Sequence, residues 1–295
     1  MRPKCTFGDR LSQWLPGPIH PGPQRRKSTR LHYCPLPPSL LLKVVVTPAL
    51  IATATLVGRR WGHALSGWLV GLPLTSGPVV LFLALDQGRH FAADASLGVI
   101  LGVASQAVFA LAYVFSGGTT GWPLRLLAGT TGFGAATALF HFARMAAILE
   151  PVLVFACLVV AIALMPKGNQ PAPRVEMAPP GDLPLRVVVA TALVLGLTTV
   201  APYLGSYLSG LLSPFPLYAA ILAVFAHRVA GPAAATAVWR GLLFGLFSFL
   251  TFFTVLAATL VHLGIVPAFV LAMAAAFSVQ AMSLAMLRAW ARKAN

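Results

Sequence analysis

Two charged residues stand inside long apolar runs of this chain, which makes them the first candidates for chemistry. Glu150 lies just before Pro151 in the run 145–165, and Arg240 lies two turns into the run 233–258. A charge in hydrocarbon is costly, so each must face protein or water as part of a proton or ion site, or else snorkel to the interface. His141 and His227 end the runs 122–142 and 205–227 and read as interfacial. Gln106 and Gln280 read as polar bridges between helices.

A second set of candidates surrounds two interruptions. The run 62–85 contains Gly71-Leu72-Pro73 and Gly77-Pro78, and the run 205–227 contains Ser213-Pro214-Phe215-Pro216. Proline removes a helix hydrogen bond and clashes with the preceding turn. At membrane depth the freed backbone groups need protein or trapped water as partners. Broken helices in transporters hold substrate or ion at such places. Pro73, Thr75, Ser76, Ser213, Pro216 and Tyr218 are therefore expected to mark a modest polar centre suited to a neutral or amphipathic solute. The alternative is a plain kink satisfied by neighbouring helices.

Other chemistries find no residues. There is no nucleophile elbow, phosphate loop, zinc-protease helix or dinucleotide fingerprint. Cys5, Cys34 and Cys157 form no C-x-x-C pair and no Cys/His cluster, so neither metal nor cofactor is expected. Asp86 and Asp94 flank one loop and read as solvated. The chain is not expected to be an enzyme.

The elements that must position these residues follow from composition. Only 9% of the 295 residues are charged and 58% are hydrophobic, with a mean hydropathy of +0.83. A soluble domain carries roughly 25% charged residues. Lipid must be the main solvent, and the fold class is an all-α integral membrane protein. Apolar runs at 40–58, 62–85, 92–115, 122–142, 145–165, 185–203, 205–227, 233–258 and 265–288 predict about nine transmembrane helices. Residues 1–39 form a basic, Pro-rich tail that reads as disordered or spurious rather than as a targeting signal. The net charge of +15 is spread in this tail and between apolar runs, which is a topology pattern and not a nucleic-acid footprint.

The chain also matches itself at an offset of 143. Over positions 42–105 there are 21 identities in 64. They include Gly62/Gly205, Pro73/Pro216, Gly88/Gly231, Gly98/Gly241, Gly102/Gly245 and Ser105/Ser248. Glycine, proline and serine in one register point to duplication rather than shared apolar composition. The expected organisation is a membrane repeat over 40–142, a connector helix and polar linker over 143–184, and a second repeat over 185–295. Four spans per unit and one odd connector invert the second copy. Ten Lys and Arg on odd loops and the C-terminus, Arg125 among them, against three on the other side, put the N-terminus outside and the C-terminus in the cytoplasm. Gly98-x3-Gly102 and Gly241-x3-Gly245 permit close helix approach and are expected at the interface between repeats.

The segment from Gly210 through Phe215-Pro216 to His227, followed by Gly231 and Arg240-Gly241, resembles the small bacterial GlpM-type membrane proteins. The first copy keeps Gly67, Pro73, Gly88 and Gly98 but has Leu72, Ala84 and Leu97 where the pattern has Phe, His and Arg. The resemblance implies a bacterial inner-membrane protein and a link to exopolysaccharide production, and it supplies no catalytic residues. The expected function is a transporter or permease with its site between inverted repeats. The alternative is a scaffold or assembly subunit of an envelope complex. Expected partners are the lipid bilayer and a small-molecule substrate, with a homo-oligomer left open and nucleic acid excluded.

Overall fold

The computed structural model describes residues 68, 70–73, 76–117, 121–142, 148–166 and 182–294. The expected tail, the first span 40–58, Thr75 and most of the polar linker lie outside them. Every element among the described residues is a helix: α1 (Ser76–Asp86), α2 (Arg89–Phe115), α3 (Trp122–Phe142), α4 (Leu149–Leu164), α5 (Asp182–Leu204), α6 (Ser206–Leu212), α7 (Leu217–Leu263) and α8 (Ile265–Ala294).

Three stretches are long and apolar enough to cross a bilayer: Arg89–Phe115, Ser206–Leu263 and Ile265–Met286. The 27 residues of α2 extend about 40 Å, beyond the roughly 30 Å of a hydrocarbon core. The distribution of polarity fits lipid as solvent. Phe142, Ile148 and Val266 are 85%, 81% and 72% exposed, while Ser76, Ser105, Gln106, Glu150 and Ser213 are buried. A water-soluble helical protein would reverse that arrangement.

The apolar runs 92–115, 122–142, 145–165, 185–203 and 265–288 correspond to α2, α3, α4, α5 and α8. One run differs. The run 205–227 is split at Ser213–Pro216 into α6 and the start of α7. The gap expected around Arg228 is present as a break three residues further on: α7 is two helical segments that meet across a kink at Gly231, whose backbone is non-helical (φ 81°). Gly88, its match at the 143 offset, also has a left-handed φ (95°) and caps the start of α2. Only glycine adopts such a conformation without a Cβ penalty, so one residue suffices to redirect the chain.

Helix α2 is the centre of the bundle and packs against α1, α3, α4, α6 and α7. Its contact with α6 is close because both faces lack bulk. A Cβ added at Gly98 would overlap the Tyr207 carbonyl, and one added at Gly210 would overlap the Ala95 carbonyl. One turn along α2, a Cβ at Gly102 would strike Pro214 and the Leu211 carbonyl. A Cβ at Gly245 would strike Gly71 and the Trp68 carbonyl. Gly245, Trp68 and Gly71 are each 143 positions from Gly102, Leu211 and Pro214. The same contact therefore occurs twice, with the two halves of the chain exchanged.

Polar contacts also tie the two ends of α2 to α7. At one end, Arg89 donates through Nη1 to the Val261 carbonyl (3.3 Å). At the other, the Tyr113 hydroxyl and His227 Nδ1 share a hydrogen bond of 3.4 Å. The first contact joins the start of α2 to the end of α7, and the second joins the end of α2 to the first segment of α7, before Gly231.

Candidate functional site

The two proline interruptions meet. Around Pro73 the backbone turns, the Pro73 carbonyl accepts from the Gly77 N–H (3.0 Å), and α1 starts at Ser76. Around Pro214 and Pro216 the chain leaves α6 after Leu212 and re-enters helix at Leu217 with Pro216 as cap. Neither proline offers an N–H, so the carbonyls here find substitutes. Gly210 accepts from Ser213 N (3.1 Å) and Leu212 accepts from Phe215 N (3.2 Å). The Ser213 carbonyl accepts from the Ser76 hydroxyl at 3.0 Å, across 137 residues of chain. Pro73, Ser76, Ser213 and Pro216 are all buried, and Tyr218 is half-buried in the first turn of α7. Thr75, expected beside them, lies outside the described residues.

Glu150 and Arg240 are elsewhere and apart. Glu150, 2% exposed, is in the first turn of α4 and accepts from the Tyr207 hydroxyl of α6 (3.2 Å). Arg240, 9% exposed, donates to the Pro166 carbonyl just beyond the end of α4. Both are buried against protein. The connector helix is thus held at its first turn from α6 and just past its last from α7. A guanidinium at a helix C-terminus satisfies a carbonyl left without a donor and complements the negative end of the dipole. Arg89 does the same for the last turn of α7.

Two expectations about charge are corrected. Asp94 is not simply solvated: it is half-buried on α2 and accepts from the Ser206 hydroxyl at the start of α6. Arg125 is not a loop charge: it lies in the first turn of α3, 5% exposed, with its guanidinium against Gly117 beyond the end of α2. Asp94, Ser206 and Tyr207 escaped sequence reading because nothing local distinguishes them. The one available signal was Gly205, whose left-handed φ of 79° starts α6 and sets both hydroxyl-bearing residues on its first turn.

The expected glutamine bridges differ from each other. Gln280 Nε2 donates to the Trp68 carbonyl (3.0 Å), beside the Ser283 hydroxyl that accepts from Trp68 Nε1 (2.8 Å). Gln106 is 6% exposed, and its Oε1 has no hydrogen-bond partner among the described residues. His141 is half-buried at the end of α3, and Cys157 is half-buried and free on α4. Among the described residues no group of three or more His, Cys, Asp or Glu could hold a metal ion.

A shallow apolar groove between α4 and α7 is lined by Pro151, Phe155, Leu250, Thr251, Thr254 and Val255. Compared with known protein families, curated proteins and solved structures, the chain matches none.

Proposed function

We propose that this protein is a small transporter of a bacterial inner membrane, built from two four-span copies inserted in opposite senses. Its N-terminus is outside, its C-terminus is cytoplasmic, and its solute path follows the seam between the two interrupted spans. The observation that carries this reading is the Ser76–Ser213 bond, which joins both interruptions at a buried point. Broken helices that meet between inverted copies are how secondary transporters place a site away from lipid. The exchanged glycine contacts support the pseudo-two-fold relation that the reading needs.

A test replaces Cys5, Cys34 and Cys157 with serine and introduces Ser213→Cys. A membrane-impermeant thiol reagent is then applied to vesicles of each orientation. The expected result is labelling that depends on the side of application and changes when solutes are supplied. A cysteine inert from both sides under all conditions sinks the transporter reading.

The close contacts of Gly102 with Pro214 and of Gly245 with Gly71 favour a second reading. In it the centre is a permanent lock, and the protein is a scaffold or assembly subunit of an exopolysaccharide-related envelope complex. The GlpM-type resemblance belongs to that reading. An inert Ser213→Cys is its expected result.

A further inference from the structure

Beside the second interruption, three buried polar atoms lack hydrogen-bond partners among the described residues: Gln106 Oε1, Ser213 Oγ and Trp239 Nε1. They belong to one neighbourhood. Gly102, Gln106 and Phe109 follow at i, i+4 and i+7 on a single face of α2. Gly102 touches Pro214, and the Phe109 ring lies 6.0 Å from Phe215 and 4.9 Å from Trp239. Along α2, Gln106 lies between these two contacts, and its side chain is buried. Phe133 closes the cluster, edge-on to Phe215 at 5.2 Å.

A buried polar group left without a partner is costly, and a concentration of such groups calls for a bound species. The set here is specific. Trp239 can only donate, the Gln106 oxygen can only accept, and the Ser213 hydroxyl does both. Around them stand aromatic faces. The matched positions in the other half of the chain do not repeat the pattern. Val70, Leu72 and Phe249 replace Ser213, Phe215 and Gln106, and the counterpart of Trp239 is Ser96, which donates to the Ala92 carbonyl (2.8 Å). Sequence symmetry is broken where the unsatisfied atoms lie.

We propose that Gln106, Phe109, Ser213, Phe215 and Trp239 form a binding site for a small neutral amphipathic molecule with an apolar body and a hydroxyl group. The aromatic rings take the body. The hydroxyl donates to Gln106 and accepts from Trp239 and Ser213. The site rests on the transporter reading for its role as the solute's station, and on its own geometry for binding.

The test uses the full chain in lipid nanodiscs, titrated with benzyl alcohol and separately with toluene, its analogue without the hydroxyl. Tryptophan emission and melting temperature are read. The expected result is a saturable benzyl alcohol response that Trp239→Phe removes from the emission. Gln106→Met and Ser213→Ala should each weaken it about tenfold, the effect of losing one buried hydrogen bond. Toluene should bind weaker by a similar factor. Ser213→Ala deletes one oxygen without loss of packing, so it remains informative if Gln106→Met does not fold. A response linear in concentration, equal for both probes, or indifferent to these substitutions means that water alone satisfies the three atoms and overturns the proposal. Saturable binding with an inert Ser213→Cys would retain the site and remove the transport role; side-dependent labelling without binding would do the reverse.

Discussion

Glu150 and Arg240 engage opposite ends of one helix. Glu150 accepts from Tyr207 in the first turn of α4, and Arg240 donates to Pro166 beyond its last. Sixteen residues separate the two contacts, about 24 Å of helical rise. The two charges cannot neutralise each other or share one ligand. They fasten the connector between the halves of the chain to the short helix α6 at one end and to α7 at the other.

Tyr207→Phe should therefore lower stability by about 1–3 kcal/mol, because it removes a donor to a buried carboxylate. Thermal unfolding in a fixed detergent measures this. Tyr203→Phe on the exposed side of α5 is the control, since Tyr203 is 81% exposed. Equal melting temperatures for the two variants would show that the Glu150 contact contributes nothing.

Gly102→Ala and Gly245→Ala should destabilise by similar amounts, about 1–3 kcal/mol each, because the added methyl must push apart a contact that involves backbone. Gly134→Ala faces open space. It should be neutral or stabilising by up to about 1 kcal/mol through helix propensity. If all three behave alike, the close approach seen at Gly102 and Gly245 is not sustained in the membrane.

Reporter fusions at Gly118 and Ala258 should report opposite sides of the membrane. In the proposed arrangement each marks the end of the third span of its copy, Ala258 lying in the last turns of α7, and Tyr113 and Val261 nearby take part in contacts at opposite ends of α2. Finding both reporters on one side would end the inverted arrangement.

Thr75→Val and Tyr218→Phe should impair any transport or phenotype that the intact protein supports, by about tenfold if each loses one hydrogen bond to a bound solute. Val266→Leu, on a residue 72% exposed, should leave it unchanged. Site variants with full activity would reduce the proline centre to a structural kink.

The sequence revealed helices where punctuation was strong. Gly88 precedes α2, Gly121 precedes α3, and Pro214 and Pro216 separate α6 from α7. Gly231-Pro232 likewise separates the two segments of α7, though the break is one left-handed residue rather than a loop. The polar contacts were largely illegible. Ser206 and Asp94 are 112 residues apart, and Tyr207 and Glu150 are 57 apart. Local pattern records which residues are polar, and only the fold decides which polar residues meet. Arg125 shows the same limit: the charge pattern counts it with the odd loops, yet it lies three residues into α3 and packing against the end of α2 buries it.

The notch that Gly98 and Gly102 cut into α2 has a consequence in time. Its occupants, Tyr207 to Pro214, are made some 110 residues later. At about 5–20 residues per second, α2 waits roughly 5–20 s before the segment that fills it leaves the ribosome. Throughout that interval the first half of the protein presents a grooved, backbone-exposing helix face. Lipid, an insertion factor or another nascent chain must shield that face until the second half arrives to claim it.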